Sequence, residues 1–208
     1  MKKTGLIILV LMFWFLAGCA TYNTRGAVPI LSGIEEKKLV KLEREGIIIT
    51  AFPIATMEDS KKYFDENLLG FRIIGKRILA VYLDVSNKTS GAVKVASVSL
   101  KVGEAVIPSA TAEVVYQAIR REYAVKAFLW IFPTFYVGAI PSVIHTSFIN
   151  SRIEKDVKNK QFVLGREIIN SSQGFVWFQL GSLPKSAVLD IILEISGKGM
   201  VLYGLPIL

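Results

Sequence analysis

Six segments after residue 45 alternate apolar and polar side chains with a period of two. They are GIIITAFPI (46–54), ILAVYLDVSN (78–87), VKVASVSLKV (93–102), GFVWFQL (174–180), VLDIILEIS (188–196) and MVLYGLPI (200–207). Alternation over short runs rich in β-branched residues is typical of strands with one buried face. Residues 87–91 and 197–199 contain glycines that suit tight links between strands. The pattern predicts a mainly β protein, an immunoglobulin-like antiparallel β-sandwich over residues 46–208.

The alternation also assigns a face to each side chain. In segment 78–87, one face carries Leu79, Val81, Leu83 and Val85, and the other carries Tyr82, Asp84 and Ser86. In segment 93–102, the buried face is expected to carry Ala96, Val98, Leu100 and Val102. The aromatic residues Tyr116, Trp177 and Tyr203 are expected in the sandwich core.

The period-two pattern stops over residues 110–172, where we expect a helical insert. The apolar residues Ala112, Val115, Tyr116, Ile119 and Tyr123 recur at helical spacing. Residues 127–149 follow without a single Asp, Glu, Lys or Arg, and residues 150–160 are polar and helix-prone. Pro133 and Pro141 disfavour one straight helix, so the apolar stretch is predicted to form a helical hairpin.

Three interpretations of this apolar stretch stay open: contact with a membrane, packing on one face of the sandwich, and self-association or contact with another envelope protein. The membrane interpretation makes the aromatic side chains at its start the contact residues, since such side chains favour membrane interfaces. These are Trp130, Phe132, Phe135 and Tyr136. Basic residues on both sides of the stretch are then the head-group candidates: Arg120, Arg121, Lys126, Arg152 and Lys155.

The segment in front of the sandwich is expected to be a tether and a short helix. Residues 20–31 are small and polar, without periodicity. Ser32 and Glu35 have the spacing of a capping box, and Gly46 lies where a helix would end. A short, mostly exposed helix is therefore predicted between them, immediately before the first strand.

The first eighteen residues have the layout of a secretory signal. Lys2 and Lys3 precede an uncharged apolar run, and the run ends in Leu16-Ala17-Gly18-Cys19. The run is shorter than the roughly 20 residues that a membrane-spanning helix needs. Cys19 is the one cysteine of the chain, so it has no partner within the chain for a disulfide.

The Leu-Ala-Gly-Cys ending resembles the lipobox of bacterial lipoproteins. The resemblance implies that residues 1–18 are removed, that Cys19 becomes the lipidated first residue, and that residues 19–45 form the lipidated tether. It further implies sorting to the outer membrane, on the periplasmic face, in preference to the inner membrane, because Ala20 and Thr21 follow the cysteine where Asp favours retention. Two or more acyl chains make a stable membrane anchor.

Residues 46–208 resemble uncharacterised proteobacterial lipoproteins with a GI-x-I-x-A-x-P opening and a later VYLDVSN strand. These motifs are present at Gly46–Pro53 and Val81–Asn87. The chain is basic, with 25 Lys and Arg against 17 Asp and Glu. An exported lipoprotein does not ordinarily meet nucleic acid, so anionic lipid is the expected partner for this charge, beside the interpretation of an ordinary solvated basic surface.

Residues suited to catalysis are sparse. The sole histidine, His145, lies in the apolar stretch without a neighbouring Cys or carboxylate in sequence, and a catalytic triad needs a positioned base. We therefore expect no enzyme, no cofactor and no metal site. The favoured hypothesis is a non-enzymatic, membrane-anchored envelope lipoprotein whose insert contacts the membrane or a partner protein. The alternative is a carrier for a lipid or another hydrophobic ligand.

Overall fold

The computed structural model describes residues 38–64, 73–120 and 136–208, with the side chains of 136–146 excepted. The strands are β1 (Val40–Arg44), β2 (Ile47–Ile54), β3 (Ile78–Asn87), β4 (Val93–Val102), β5 (Ala105–Pro108), β6 (Glu167–Ile168), β7 (Ser171–Gln179), β8 (Val188–Ile195) and β9 (Gly199–Pro206). The helices are α1 (Met57–Tyr63), α2 (Ala112–Ile119) and α3 (Tyr136–Lys160). The six strands predicted from the sequence are confirmed, and β3 and β4 have the predicted bounds.

The strands form two antiparallel sheets. The first has the order β1-β2-β3-β7, and the second has the order β5-β4-β8-β9, with β6 pairing with β4. The inner faces of the two sheets bury one continuous cluster of aliphatic side chains that includes Leu83, Val95 and Leu193. We call this cluster the sandwich core. Burial of such side chains is worth about 1.5–3 kcal/mol each, so this core is the main source of stability.

A bulge in β4 changes which side chains are buried. The register of β4 against β8 shifts between Val95 and Ser97. As a result Val93 and Val95 are buried before the bulge, Val98 and Leu100 are buried after it, and Ala96 is exposed. The expectation that Ala96 lies on the buried face is therefore wrong, because the extra residue of a bulge reverses the alternation.

The prediction of a helix directly before the first strand is wrong over residues 40–44. These residues form β1, which pairs antiparallel with β2 from Val40 opposite Ala51 to Arg44 opposite Ile47. The charged residues of this segment favour a helix locally, but Val40 and Leu42 pack against the sandwich core from an extended backbone. Tertiary packing has overridden a weak local preference.

The outer face of the first sheet carries a third layer, made of helices. Buried side chains of α2 and α3, with Phe64 directly after α1, pack there on the side chains of three strands: Phe52, Ile54, Tyr82, Phe175 and Trp177. We call this cluster the helix-side core. Strand β3 is consequently buried on both faces, with Ser86 alone half-exposed. Trp177 therefore belongs to the helix-side core, where Tyr116 also packs, and the prediction that both lie in the sandwich core is wrong. Tyr203 lies in the sandwich core as predicted.

The insert contains the expected helices, but a turn at Pro141 does not occur. Ala112, Val115 and Ile119 of α2 are buried, as their spacing predicts. Pro141 lies inside the 25-residue helix α3. The predicted hairpin turn therefore does not extend to this proline, and the other proline, Pro133, lies outside the described residues. The first turn of α2 lies beside the last turn of α3, where the Ala112 amide donates to Gln161 Oε1 at 2.9 Å.

Candidate membrane-facing site

The two ends of the sandwich differ in what they carry. At one end β2, β4, β7 and β9 finish and β3 and β8 begin, as the pairs of Ile78 with Gln179 and of Val188 with Pro206 establish. We call it the entry end, because the chain from the N-terminus reaches the sandwich there. The entry end comprises residues 38–39, 55–64, 73–77, 103–104 and 180–187. The opposite end, the far end, comprises residues 43–46, 88–94, 166–170 and 196–198.

The N-terminal chain is fixed to α1 at the entry end. Thr56 caps α1 by accepting from the Asp59 amide at 3.1 Å, and its hydroxyl donates to Asp59 Oδ2 at 2.7 Å. Lys38 Nζ donates to the other oxygen of this carboxylate at 3.0 Å. The Asp59 side chain is 10% exposed, so the Lys38 ion pair is largely shielded on the acidic side. The contact places the start of the described chain beside the helical layer.

A buried ion pair within α3 also bonds to the end of α1. Lys160 Nζ lies 3.1 Å from both carboxylate oxygens of Asp156, with side chains 2% and 5% exposed. The same ammonium donates to the backbone oxygen of Tyr63 at 3.1 Å and lies 5.2 Å from the Phe64 ring centroid. A buried cation needs this many partners to offset its lost hydration. The end of α1 and the end of α3 are thereby fixed to each other.

Aromatic rings fill the described part of the space between the first sheet and the helices. The ring centroid of Phe64 lies 5.1 Å from that of Phe175 and 5.6 Å from that of Trp177, and Phe175 lies 5.8 Å from Trp177 and from Tyr82. These spacings are normal for packed aromatic pairs. The Trp177 indole N–H is buried and has no acceptor among the described residues. An orphan donor of this kind is costly in an apolar layer.

Three of the head-group candidates lie on the helical layer. Arg120 is exposed and caps the end of α2. Its backbone amide donates to the backbone carbonyl oxygen of Tyr116 at 2.8 Å. On α3, Lys155 is exposed, and the Arg152 guanidinium lies 4.2 Å above the ring of Phe148, which is 55% exposed. The two remaining basic candidates, Arg121 and Lys126, lie outside the described residues.

Most of the aromatic contact candidates lie outside the described residues. Trp130, Phe132 and Phe135 lie there, as does the lipidation candidate Cys19. Tyr136 is the first residue of α3, and neither its side chain nor that of His145 is described. Within the described segments no helix has the length and apolarity that crossing a membrane requires.

Below the helix-side core, the face of the first sheet becomes polar. Asp84 is 8% exposed, opposite Thr50 on β2 and Gln173 on β7. Burial raises the pKa of the Asp84 carboxyl, because the charged form loses hydration. The Tyr82 hydroxyl donates to Gln173 Oε1 at 2.8 Å, and burial together with the nearby Asp84 charge raises the pKa of Tyr82.

Potential metal ligands do not cluster in the described residues. Among them, no three His, Cys, Asp or Glu side chains come close enough to hold a metal ion. A wide, open depression lies on the outer face of the second sheet, lined by Lys101, Asp190, Leu202 and Pro206 among others. It lies on the opposite side of the sandwich from the helical layer.

Sequence reasoning missed the two polar contacts that organise the entry end. The Asp156 and Lys160 pair has the (i, i+4) spacing of an ordinary surface ion pair on a helix, so nothing in the sequence marks it as buried. Thr56 and Asp59 do form a helix-cap signature, and this signal could have predicted the start of α1. The partner Lys38 lies 21 residues away along the chain, beyond the reach of local pattern.

Comparisons with known proteins give a distant structural likeness. No protein-family model matches the chain, and the search of curated proteins finds no match. Among solved structures, the chain is similar to the crystal structure of a DUF4426 family protein from Pseudomonas aeruginosa PAO1. The likeness has 9% sequence identity and a TM-score of 0.37, and it covers 83% of this chain and 94% of that chain. At this identity and score it carries no argument about family or activity.

Proposed function

We propose that this protein is a non-enzymatic, lipid-anchored envelope protein that contacts the membrane through its helical layer. The observation that supports this most is the position at which the N-terminal chain meets the domain. Lys38 is bound to Asp59 of α1, a helix that follows β2 at the entry end and belongs to the helical layer. An anchor at Cys19 would then draw the helical layer, and not the far end, toward the bilayer.

The length of the tether is compatible with this placement. Lys38 lies nineteen positions after Cys19. An extended chain spans at most about 3.3–3.6 Å per residue, so the tether reaches no more than roughly 65 Å. Within that radius the domain can rest on the membrane surface. Amphipathic contact residues such as Phe148, with Arg152 stacked over it, suit the boundary between head groups and acyl chains.

The finer description of the fold is also a proposal. Taking β2, β3 and β7 as strands A, B and E, and β4, β8 and β9 as strands C, F and G, reproduces the strand neighbours of an immunoglobulin-like sandwich. In that scheme α2 and α3 form an insertion between β5 and strand E, and α1 lies between strands A and B. We propose that the insert at about residues 110–172 contains the apolar helical hairpin expected from the sequence.

Liposome binding tests the membrane contact. A chain shortened to begin at Ala27, and therefore without the lipid, is expected to bind vesicles that contain anionic lipid. The variant Trp130→Ser/Phe135→Ser should lose binding and keep the melting temperature of the unsubstituted chain. If these side chains are internal core instead, each substitution removes about 3–5 kcal/mol of stability, and the melting temperature falls sharply. A low melting temperature in a protein that never bound vesicles would reject the proposal.

We further propose localisation at the periplasmic face of the outer membrane. The support is the absence of Asp after Cys19, where Ala20 and Thr21 stand. Wild-type protein should fractionate with outer-membrane markers, and Ala20→Asp should move it to the inner membrane while leaving its acylation unchanged. Recovery of wild-type protein with inner-membrane markers alone would contradict this assignment.

A second candidate, a carrier for a hydrophobic ligand, is favoured by the orphan Trp177 indole N–H. A ligand with a hydrogen-bond acceptor could satisfy this donor within the helix-side core. The chain beginning at Ala27 should then co-purify with extractable lipid, and Trp177→Phe should release it, because Phe keeps an aromatic ring but lacks the N–H. Protein that carries no organic-extractable ligand in mass spectrometry would exclude the carrier.

A further inference from the structure

The two ends of the sandwich differ in how their cations are neutralised. At the far end, four cations each lie within 3.7 Å of a carboxylate oxygen: Arg44 near Glu45, Lys88 near Glu43, Lys94 near Glu167 and Lys198 near Glu45. The Lys198 contact is a hydrogen bond of 2.8 Å, and it lowers the pKa of Glu45. Arg166 is the exposed cation of this end outside these pairs. Over its ranges the far end carries five Lys and Arg against three Glu, and four of the five cations are paired with a carboxylate.

The entry end presents cations without such pairs. Lys61, Lys76, Arg77 and Lys185 are exposed, and none has a carboxylate within ion-pair distance in the described part of the chain. Two exposed carboxylates, Glu58 and Glu104, lie at the same end, and Asp59 is engaged by Lys38. The loops 73–77 and 180–187 themselves contain no Asp or Glu. Over its ranges the entry end carries six Lys and Arg against three Asp and Glu, a net charge of +3 beside +2 at the far end, so the two ends differ chiefly in how many of their cations are paired.

The cationic loops are held together as one surface. The backbone carbonyl of Arg77 accepts from the Leu180 amide at 2.9 Å, and the Arg77 guanidinium donates to the Gly181 carbonyl. These bonds join the loop before β3 to the loop after β7, so Lys76 and Lys185 are carried by connected segments. Lys61 projects from α1, which begins directly after β2 at the same end.

We propose that Lys61, Lys76, Arg77 and Lys185 form a docking surface for the anionic head groups of a bilayer, and that the domain stands on the membrane on its entry end. Two observations select this occupant. The surface has the charge that anionic phospholipid attracts, and Lys38 enters at this same end, nineteen residues after the lipidation candidate Cys19. The inference rests on the proposed lipid anchor and adds an orientation to it, through residues different from the head-group candidates of the insert.

Lysine footprinting on the full, lipidated chain in vesicles tests the orientation. The protein is reconstituted in phosphatidylcholine vesicles with and without phosphatidylglycerol, and acylation of each lysine by a water-soluble ester is followed by mass spectrometry. Phosphatidylglycerol should slow the modification of Lys61, Lys76 and Lys185 by roughly fivefold, the effect of about 1 kcal/mol per cation near such a surface. Lys88 and Lys198 at the far end should react equally in both vesicles. Salt at 1 M, where the Debye length is about 3 Å, should abolish the difference.

Matched double variants separate docking from a general charge effect. Lys76→Gln/Lys185→Gln should restore the reactivity of Lys61 in phosphatidylglycerol vesicles, whereas Lys88→Gln/Lys198→Gln, with the same loss of charge, should leave Lys61 protected. Equal lysine reactivity in both vesicles, equal protection at the two ends, or equal effects of the two variants would each overturn the docking surface while the anchor stands. An unacylated Cys19 and failure to associate with vesicles would overturn the anchor and the docking surface together.

Discussion

The buried pair of Lys160 and Asp156 gives the sharpest test of how the helical layer is held. Substituting Lys160 with Met keeps most of the side-chain volume and removes the ammonium. Asp156 then remains 5% exposed without its lysine, and the Tyr63 carbonyl loses a donor. The end of α3 should detach from the end of α1 more easily, because the ammonium that bonds to Asp156 and to the Tyr63 carbonyl is gone.

The size of the effect follows from the geometry. Removing one partner of a buried ion pair costs about 3–5 kcal/mol, since the remaining charge keeps its desolvation penalty. The variant Lys160→Met/Asp156→Leu removes both charges and should lie only about 1–3 kcal/mol below wild type, the cost of leaving the Tyr63 carbonyl without its donor. The double variant is thus expected to be more stable than Lys160→Met.

Urea unfolding of the full chain, followed by circular dichroism, measures these differences. Lys158→Met is the matched control, because Lys158 also pairs with a carboxylate four residues earlier on α3 but is exposed. The pKa of Lys158 is raised by its hydrogen bond to Glu154, yet solvent screens this pair, and no resolvable change in stability is expected. A Lys160→Met variant as stable as wild type would refute the buried-pair reasoning. A Lys160→Met/Asp156→Leu variant no more stable than Lys160→Met would refute it as well.

Three further predictions concern other residues. Gly174→Ala should destabilise the protein by at least about 1–3 kcal/mol in the same urea assay, because its Cβ would lie 2.6 Å from the backbone of Phe162; Gly181→Ala, with open space around it, is the control. Because burial raises the folded-state pKa of Asp84, its contribution to stability should fall as pH rises from its usual pKa near 4 through the folded value and stay level above it. The difference in stability between wild type and Asp84→Asn, measured from melting curves, should therefore shift in favour of the variant over this pH range. A pH profile unchanged by Asp84→Asn would contradict this. Cys19→Ser should prevent acylation and cleavage, and an unmodified Cys19 thiol in the native protein would refute the lipoprotein assignment.

Local pattern was sufficient for the strands of the sandwich. In β3 and β8 the apolar residues alternate over eight to ten positions, and pairing with two neighbours then fixes the same extended backbone that the pattern predicts. The helix α2 was equally accessible, because Ala112, Val115 and Ile119 lie on one helical face. In these elements local preference and tertiary burial agree.

Elements whose conformation depends on distant contacts could not be predicted from local sequence pattern. Residues 40–44 favour a helix locally and become β1 because β2 offers a partner and the sandwich core accepts Val40 and Leu42. The bulge that exposes Ala96 is set by the register against β8. Trp177 is buried under the helices because both faces of β7 are covered, which alternation along one strand does not reveal.

The candidate site divides in the same way. Neighbouring residues were enough to reveal the lipobox resemblance at Cys19, the apolar stretch at 127–149 and the basic residues that flank it. Packing of the sheets and helices is what places Lys38, Lys76 and Lys185 at one end of the sandwich and buries Lys160 while leaving Lys158 exposed. Those positions follow from strand order and helix docking, which bring together residues more than a hundred positions apart in the chain.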